Sequence, residues 1–291
     1  MNKKLLFISS LAVSLVFLVF VSRPDDKLHI VACDVGQGDA FLLIHKKTQV
    51  LVDGGPNSRV LDCLEKYVPF WDRTLELVVM THPEKDHYGG LNAVFERYQV
   101  QAILASSLES GSNEYQVLKK MVGDQGIQII RPLSGREVRI GLMSLDILWP
   151  TKEFLSKSNI SLESNVLGIS TSKENPNDFS VVFELKYKDF KALFTGDIGP
   201  KIEDKILALG EVGKAELIKV PHHGSKNGLS KDFLQAVRPE IAFIGVGKNP
   251  WGHPHQEVLD MLSELGVKIY RMDLDSYVEL VTDGKAWKII N

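Results

Sequence analysis

The chain has 291 residues, 44% of them hydrophobic and 24% charged, and its 34 basic and 37 acidic side chains leave a net charge of −3. Such a length supports a sizeable core, and without repeats or low-complexity tracts the chain is neither fibrous nor disordered. The slightly acidic balance argues against a dedicated DNA-binding face, which is commonly basic, and Cys33 and Cys63 are not spaced as a zinc-ligand pair.

The first element is apolar. Lys3 and Lys4 precede an uncharged run from Leu5 to Val21 that is interrupted only by serines. Its 17 residues reach the lower limit of a membrane-spanning helix and exceed the core of a usual signal peptide. Phe20 stands where cleavage before Ser22 would need a small residue. An uncleaved anchor is therefore expected over residues 1–27, with secretion after cleavage as the alternative. The lysines before the span place the amino terminus in the cytoplasm and residues 28–291, one domain, outside it.

Beyond the anchor, strands are expected near 28–34, 39–44, 49–53, 76–80, 179–186, 190–195, 215–220, 240–245 and 267–271. Helices are expected over 58–68, 88–98, 113–122, 230–237 and 255–265. Strands alternating with helices give an α/β class. The polar stretch Thr151 to Asn177 has no clear period and reads as a long loop beside the site. Cys33 falls on a strand and Cys63 on a helix, and the sequence leaves a disulfide and two buried thiols equally open.

Chemistry concentrates at strand ends. The run Leu75–Met80 is followed by Thr81-His82-Pro83-Glu84-Lys85-Asp86-His87, four potential metal donors in six positions. A rigid strand end feeding a short loop can aim alternate side chains at two neighbouring cations. Three further strands end likewise: Phe194 leads to Asp197, Val220 to His222 and His223, and Val246 to His253 and His255. Asp53, in Asp-Gly-Gly, is a weaker candidate that also reads as a simple turn. His29 and His45 lie within apolar strands and read as ordinary core or surface residues.

The segment 82–87 resembles the His-x-His-x-Asp-His signature of the metallo-β-lactamase superfamily, with Asp53, Asp197 and the later histidines in the expected order. Together, Asp34-Val35-Gly36-Gln37-Gly38-Asp39-Ala40, Asn177–Val182, Val220–Ser225 and Gly252–His255 are similar to the metallo-hydrolase domain of the ComEC family of competence proteins. The resemblance covers roughly residues 28–290 and implies a four-layered αββα sandwich with metals at one edge between the sheets. Two positions depart from the superfamily pattern. Glu84 replaces its second histidine, as in ComEC-type proteins, and Asn177-Asp178 stands where a further histidine is expected. More oxygen donors make Mn²⁺ as suitable as Zn²⁺.

The resemblance assigns His82 and Glu84 to one divalent ion, Asp86 and His87 to a second, and Asp197 between them. His222 and His253 are the favoured further ligands, His223 a general acid or phosphate contact, and Asp86 and His223 the catalytic pair. Ser225 and Lys226 would hold a phosphate oxygen or merely form a turn. A membrane-anchored phosphodiesterase acting on DNA outside the cytoplasm is the expected function, with a separate uptake-channel protein as a possible partner. The alternatives are a cell-surface phosphoesterase of the phosphorylcholine-esterase kind, acting on a small molecule or the cell wall, and a non-catalytic competence-associated binding module.

Overall fold

The computed structural model describes residues 25–160, 166–168 and 170–290. The anchor expected at Leu5–Val21 lies outside the described residues, among which no helix is long and apolar enough to cross a membrane.

Six strands open the first sheet: β1 (Leu28–Ala32), β2 (Phe41–His45), β3 (Thr48–Val52), β5 (Leu77–Met80), β7 (Ala102–Ala105) and β8 (Gln128–Ile130). The short β4 (Thr74–Leu75) and β6 (Gln99–Val100) pair beside it. The second sheet holds β9 (Glu137–Ile140), β10 (Met143–Trp149), β11 (Val182–Tyr187), β12 (Phe190–Phe194), β13 (Leu217–Lys219), β14 (Ile241–Ile244) and β15 (Lys268–Arg271). Finally β16 (Val278–Thr282) and β17 (Trp287–Ile290) return to the edge of the first sheet, beside β1.

Each sheet is antiparallel in one half and parallel in the other. Neighbours β3, β5, β7 and β8 run parallel, as do β12, β13, β14 and β15. Parallel neighbours require crossover connections, so helices cover the outer faces and the inner strands β5, β7, β13 and β14 are buried throughout. That is why β5 reads Leu-Val-Val-Met without a polar position.

Three apolar clusters define the layers. One fills the space between the sheets, with Phe41, Val50 and Val79 of the first meeting Phe183, Phe194 and Phe243 of the second. Another joins the outer face of the first sheet to helices Val60–Tyr67, Leu91–Arg97 and Asn113–Asp124. The third joins the second sheet to helices Pro200–Leu209, Lys231–Val237 and Gln256–Glu264. The order is helix, sheet, sheet, helix.

Several elements depart from the sequence expectations. Residues 152–157 of the expected loop form a helix capped by Thr151, whose hydroxyl accepts from Phe154 N–H, and Pro176–Phe179 is a 3-10 turn. The expected helix 88–98 is two helices, Lys85–Tyr88 and Leu91–Arg97. Helix Pro200–Leu209 and strands β7, β8, β9, β10, β16 and β17 were not among the expected elements. Cys33 and Cys63 form a disulfide with Cα atoms 5.7 Å apart, tying the end of β1 to helix Val60–Tyr67.

Two stability tests follow from buried groups. The disulfide closes a sequence separation of 30 residues, and replacing both cysteines by serine is expected to cost about 3 kcal/mol in chemical denaturation. Glu203 is buried in helix Pro200–Leu209, and one carboxylate oxygen accepts the Ser230 N–H at 2.8 Å. Burial pushes its pKa from 4.5 to about 7. Between those values the unfolded chain has shed this proton and the folded chain keeps it, so stability falls as pH rises through that window. Glu203→Gln should therefore reduce the stability lost between pH 5 and pH 8 by about 2–3 kcal/mol. Identical pH slopes for the variant and the parent protein would refute this.

Candidate metal centre

The polar residues converge at the carboxyl ends of the parallel strands, where loops leave two facing sheets. Asp53 follows β3, Thr81 to His87 follow β5, Asp197 follows β12, His222 and His223 follow β13, and Gly245 to His253 follow β14. Asp39 comes from the loop between β1 and β2. That loop approaches closely because Gly38, at φ +140°, lies against the Asp86 carbonyl, and an added Cβ would stand 2.3 Å from that oxygen. The next residue, Asp39, donates its N–H to the same carbonyl at 3.1 Å.

Asp39, His87, Asp197 and His223 bring donor atoms within 4.8 Å of one another, all from buried residues. Both imidazoles are fixed from behind. His87 Nδ1 is 2.8 Å from the Asp53 carboxylate, and His223 Nδ1 is 2.6 Å from the Gly245 carbonyl. A carbonyl only accepts, so His223 carries its proton on Nδ1 and turns Nε2 inward. The two inward Nε2 atoms lie 3.3 and 3.2 Å from Asp197 Oδ2, and His223 Nε2 is 3.3 Å from Asp86 Oδ2. Beside them, His82 packs its ring 4.1 Å from that of His87, with Nε2 3.8 Å from Glu84 Oε2.

The charge balance favours a cation. Asp39, Asp53 and Asp197 are buried and Asp86 is mostly so, whereas Lys219 is the one buried lysine among them. Its ammonium pairs with Asp39, with Asp197 Oδ1 at 3.0 Å and with the Gly196 carbonyl at 2.7 Å. Burial alone would lower the Lys219 pKa, but Asp197 and Asp39 outweigh it and hold the ammonium charged. Likewise burial would raise Asp197, yet His223, Lys219 and His87 keep it well below the usual carboxylate range. The Nε2 atom of His82 has no hydrogen-bond partner, and those of His87 and His223 meet only carboxylate oxygens, of Asp197 and Asp86, at 3.2–3.3 Å. Burial disfavours the charge on His87 and His223, yet Asp197, Asp53 and Asp39 hold both imidazoles protonated. This carboxylate charge, with the outer nitrogens held by acceptors, fits a divalent cation that would take the place of the Nε2 protons.

The structure thus brings His82, Asp86, His87, Asp197 and His223 together, with Glu84 at the margin. It places three residues, His223, His222 and His253, differently from the sequence assignment. His223, expected as a general acid, faces the cluster with one nitrogen and the Gly245 carbonyl with the other. His222, expected as a ligand, lines the adjoining cleft with its ring 5.6 Å from that of His253. Burial, then the neighbouring histidines, pushes the His253 pKa down to about 4, so it is a neutral wall residue near pH 7. Asp53, which the sequence left as a turn candidate, orients His87 and also accepts from Thr81 N–H and Oγ1–H at 2.8 Å each. Lys219 carried no sequence signal beyond being a lysine inside an apolar strand, which is itself a reason to seek a buried partner. Ser225 lines the cleft with Asn177 and Lys248, and the cleft encloses about 1040 Å³.

Comparison with known proteins agrees with this geometry. The model of the metallo-beta-lactamase superfamily matches residues 33–248. ComE operon protein 3 of Bacillus subtilis is 24% identical over 266 residues, covering 84% of this chain and 32% of its own length. Recombination protein 2 of Haemophilus influenzae is 26% identical over 252 residues, covering 84% and 28%. The chain therefore spans about a third of the curated relatives it matches. Among solved structures, the metallo-beta-lactamase fold protein YhfI of Bacillus subtilis superposes with a TM-score of 0.55 at 11% identity, over 87% of this chain and 99% of that one. At that identity the likeness concerns the fold alone.

If Asp53 aligns His87 for a cation, Asp53→Asn should weaken divalent-metal affinity about 10–100-fold while far-UV circular dichroism is unchanged. Competition with a chromophoric chelator measures it, and an unaltered affinity would remove Asp53 from the centre.

Proposed function

The chain belongs to the metallo-β-lactamase superfamily, and from that membership we propose that it is a metal-dependent phosphodiesterase acting on DNA. The observation that carries the reading is the convergence of His87 Nε2 and His223 Nε2 on Asp197 Oδ2, at 3.3 and 3.2 Å, at the floor of an open cleft. His87, Asp197, His223 and Asp86 would hold one ion, and His82, Glu84 and Asp197 a second. Bound divalent ions supply charge that makes a water more acidic and offsets the charge growing on a phosphate in in-line displacement.

The protein's own residues do the rest. Asp86, 29% exposed, stands between the buried donors and the cleft, where its carboxylate can accept a hydrogen bond from the attacking water and orient it, the proton passing to solvent in the open cleft. Ser225, Asn177 and Lys248 offer hydrogen bonds to non-bridging phosphate oxygens. As water attacks phosphorus, the departing alkoxide faces the open side of the cleft, where solvent protonates it. Lys219 pairs with Asp197 Oδ1 at 3.0 Å and keeps its carboxylate oriented.

DNA as the substrate is supported by the similarity to the ComEC family of competence proteins and by the recombination name of the Haemophilus influenzae relative. A location outside the cytoplasm is supported by the apolar run Leu5–Val21 and by the Cys33–Cys63 disulfide, since disulfides persist in oxidising compartments. A separate channel protein would then receive the remaining strand. A carboxyl-terminal alkaline phosphatase fusion should be active in whole cells, and an inactive, stably expressed fusion would overturn that topology.

A second reading, a small-molecule phosphoesterase, is favoured by the net charge of −3, which repels a long polyanion. Protein loaded with Mn²⁺ or Zn²⁺ decides between them. DNA hydrolysis, with kcat/KM reduced at least about 100-fold by Asp86→Ala and by Asp197→Ala, is the expected result. Hydrolysis of an aryl phosphodiester without any of DNA would establish the second reading, and undiminished activity in both variants would displace the centre.

A further inference from the structure

Trp251 is 61% exposed, and among the large exposed apolar side chains of the described residues it is the one that lines the metal cleft. Phe70 and Trp71, also exposed, stack edge-on against each other away from that cleft. At the wall of the cleft this indole offers a broad apolar face with a polar edge to whatever enters.

The loop around Trp251 is built to hold it still. Asn249 uses its whole amide: Nδ2 donates to the Gly247 and His253 carbonyls, both at 2.9 Å, and Oδ1 accepts from Trp251 N–H at 3.1 Å and His253 N–H at 3.0 Å. Gly247 N–H donates to Gln37 Oε1 at 3.2 Å, tying the loop to the strand-end segment that carries Asp39. The indole centroid lies 6.1 Å from the ring of His253, tilted by 32°, so aromatic surface continues from Trp251 towards His222 and the buried donors. Exposed Lys248 and Pro250 line the same wall.

We infer that Trp251 is a stacking platform for one base of single-stranded DNA, adjacent to the phosphate that is cleaved, with Lys248 contacting a neighbouring phosphate. This assignment rests on the DNA phosphodiesterase reading above. A single strand is required because a paired base is stacked between its neighbours and has no free face, whereas an unpaired base offers one to an aromatic ring. Stacking is tolerant of base identity, so the site selects strandedness and not sequence. It also compensates for the net negative charge of the protein, because part of the affinity comes from a neutral contact that salt does not screen.

The test compares the full-length metal-loaded protein with Trp251→Ala and Trp251→Phe on a thymidine oligonucleotide and on an oligonucleotide of the same length with abasic sugars. Trp251→Ala should raise KM on the thymidine strand at least about fivefold with kcat little changed, and Trp251→Phe should recover most of the loss. The parent protein and Trp251→Ala should treat the abasic strand alike. Equal KM values for the parent and Trp251→Ala on thymidine strands would overturn the stacking role while leaving the phosphodiesterase reading intact. Equal losses on abasic and thymidine strands would overturn it also, showing that the indole shapes the cleft and contacts no base. Failure of the parent protein to cleave either strand, with an aryl phosphodiester still hydrolysed, would overturn both readings together.

Discussion

Three buried carboxylates within reach of one another set the terms for the rest of this fold. Asp39, Asp53 and Asp197 come from different loops, and bringing them out of water would cost several kcal/mol each without compensating charge and hydrogen bonds. Lys219 offsets part of that cost for Asp39 and Asp197, and Thr81 with His87 does so for Asp53. What is left is carboxylate charge facing the inward imidazole nitrogens of His82, His87 and His223. A cluster of this kind is poor evidence of stability for its own sake, since apolar residues of equal size would fold at least as well. Its composition is accounted for by a cation that the fold is arranged to hold.

The fold serves that arrangement through direction. Parallel strands β3 and β5 in one sheet and β12, β13 and β14 in the other all point their carboxyl ends at the same edge of the sandwich. The apolar layer between the sheets fixes how far apart those ends lie, and it is filled by large rigid rings such as Phe41, Phe183, Phe194 and Phe243. Close backbone approach supplies the last adjustment. At Gly245 an added Cβ would meet Asp39 Oδ1 at 2.0 Å, so the carbonyl that orients His223 can stand there only because the residue has no side chain.

Most of this architecture was legible wherever one signal dominated. Leu77–Met80, Phe190–Phe194 and Leu217–Lys219 are buried strands written as apolar runs, and the donors beyond them mark their ends. Strand β10 was equally legible in principle, because Met143, Leu145 and Ile147 are buried and alternate with half-buried Ser144 and Asp146. Helix Pro200–Leu209 announces itself by Pro200 in its first turn and by Gly210, left-handed at its end. The roles of Asp39, Asp53 and Lys219 were not legible in the same way. Each depends on a contact between segments far apart in sequence, and an Asp-Gly pair at 53–54 signals a turn whether or not its carboxylate orients a histidine.

The exchange of places between His222 and His223 has a backbone cause. In a continued strand successive side chains would take opposite faces, and sequence alone offers no reason to prefer either histidine. Here β13 ends at Lys219 and the chain turns left-handed over three residues, with φ of 47° at His222, 53° at His223 and 78° at Gly224. Two consecutive non-glycine residues in that region cost roughly 1–3 kcal/mol each and persist only where the surroundings insist. The surroundings do: Ser225 N–H donates to the His222 carbonyl, His255 N–H to the Gly224 carbonyl, and His223 Nδ1–H to the Gly245 carbonyl. The strained turn drives His223 inward against Asp197 and leaves His222 on the cleft wall beside His253. One dipeptide thereby divides its work between holding the centre and lining the path to it.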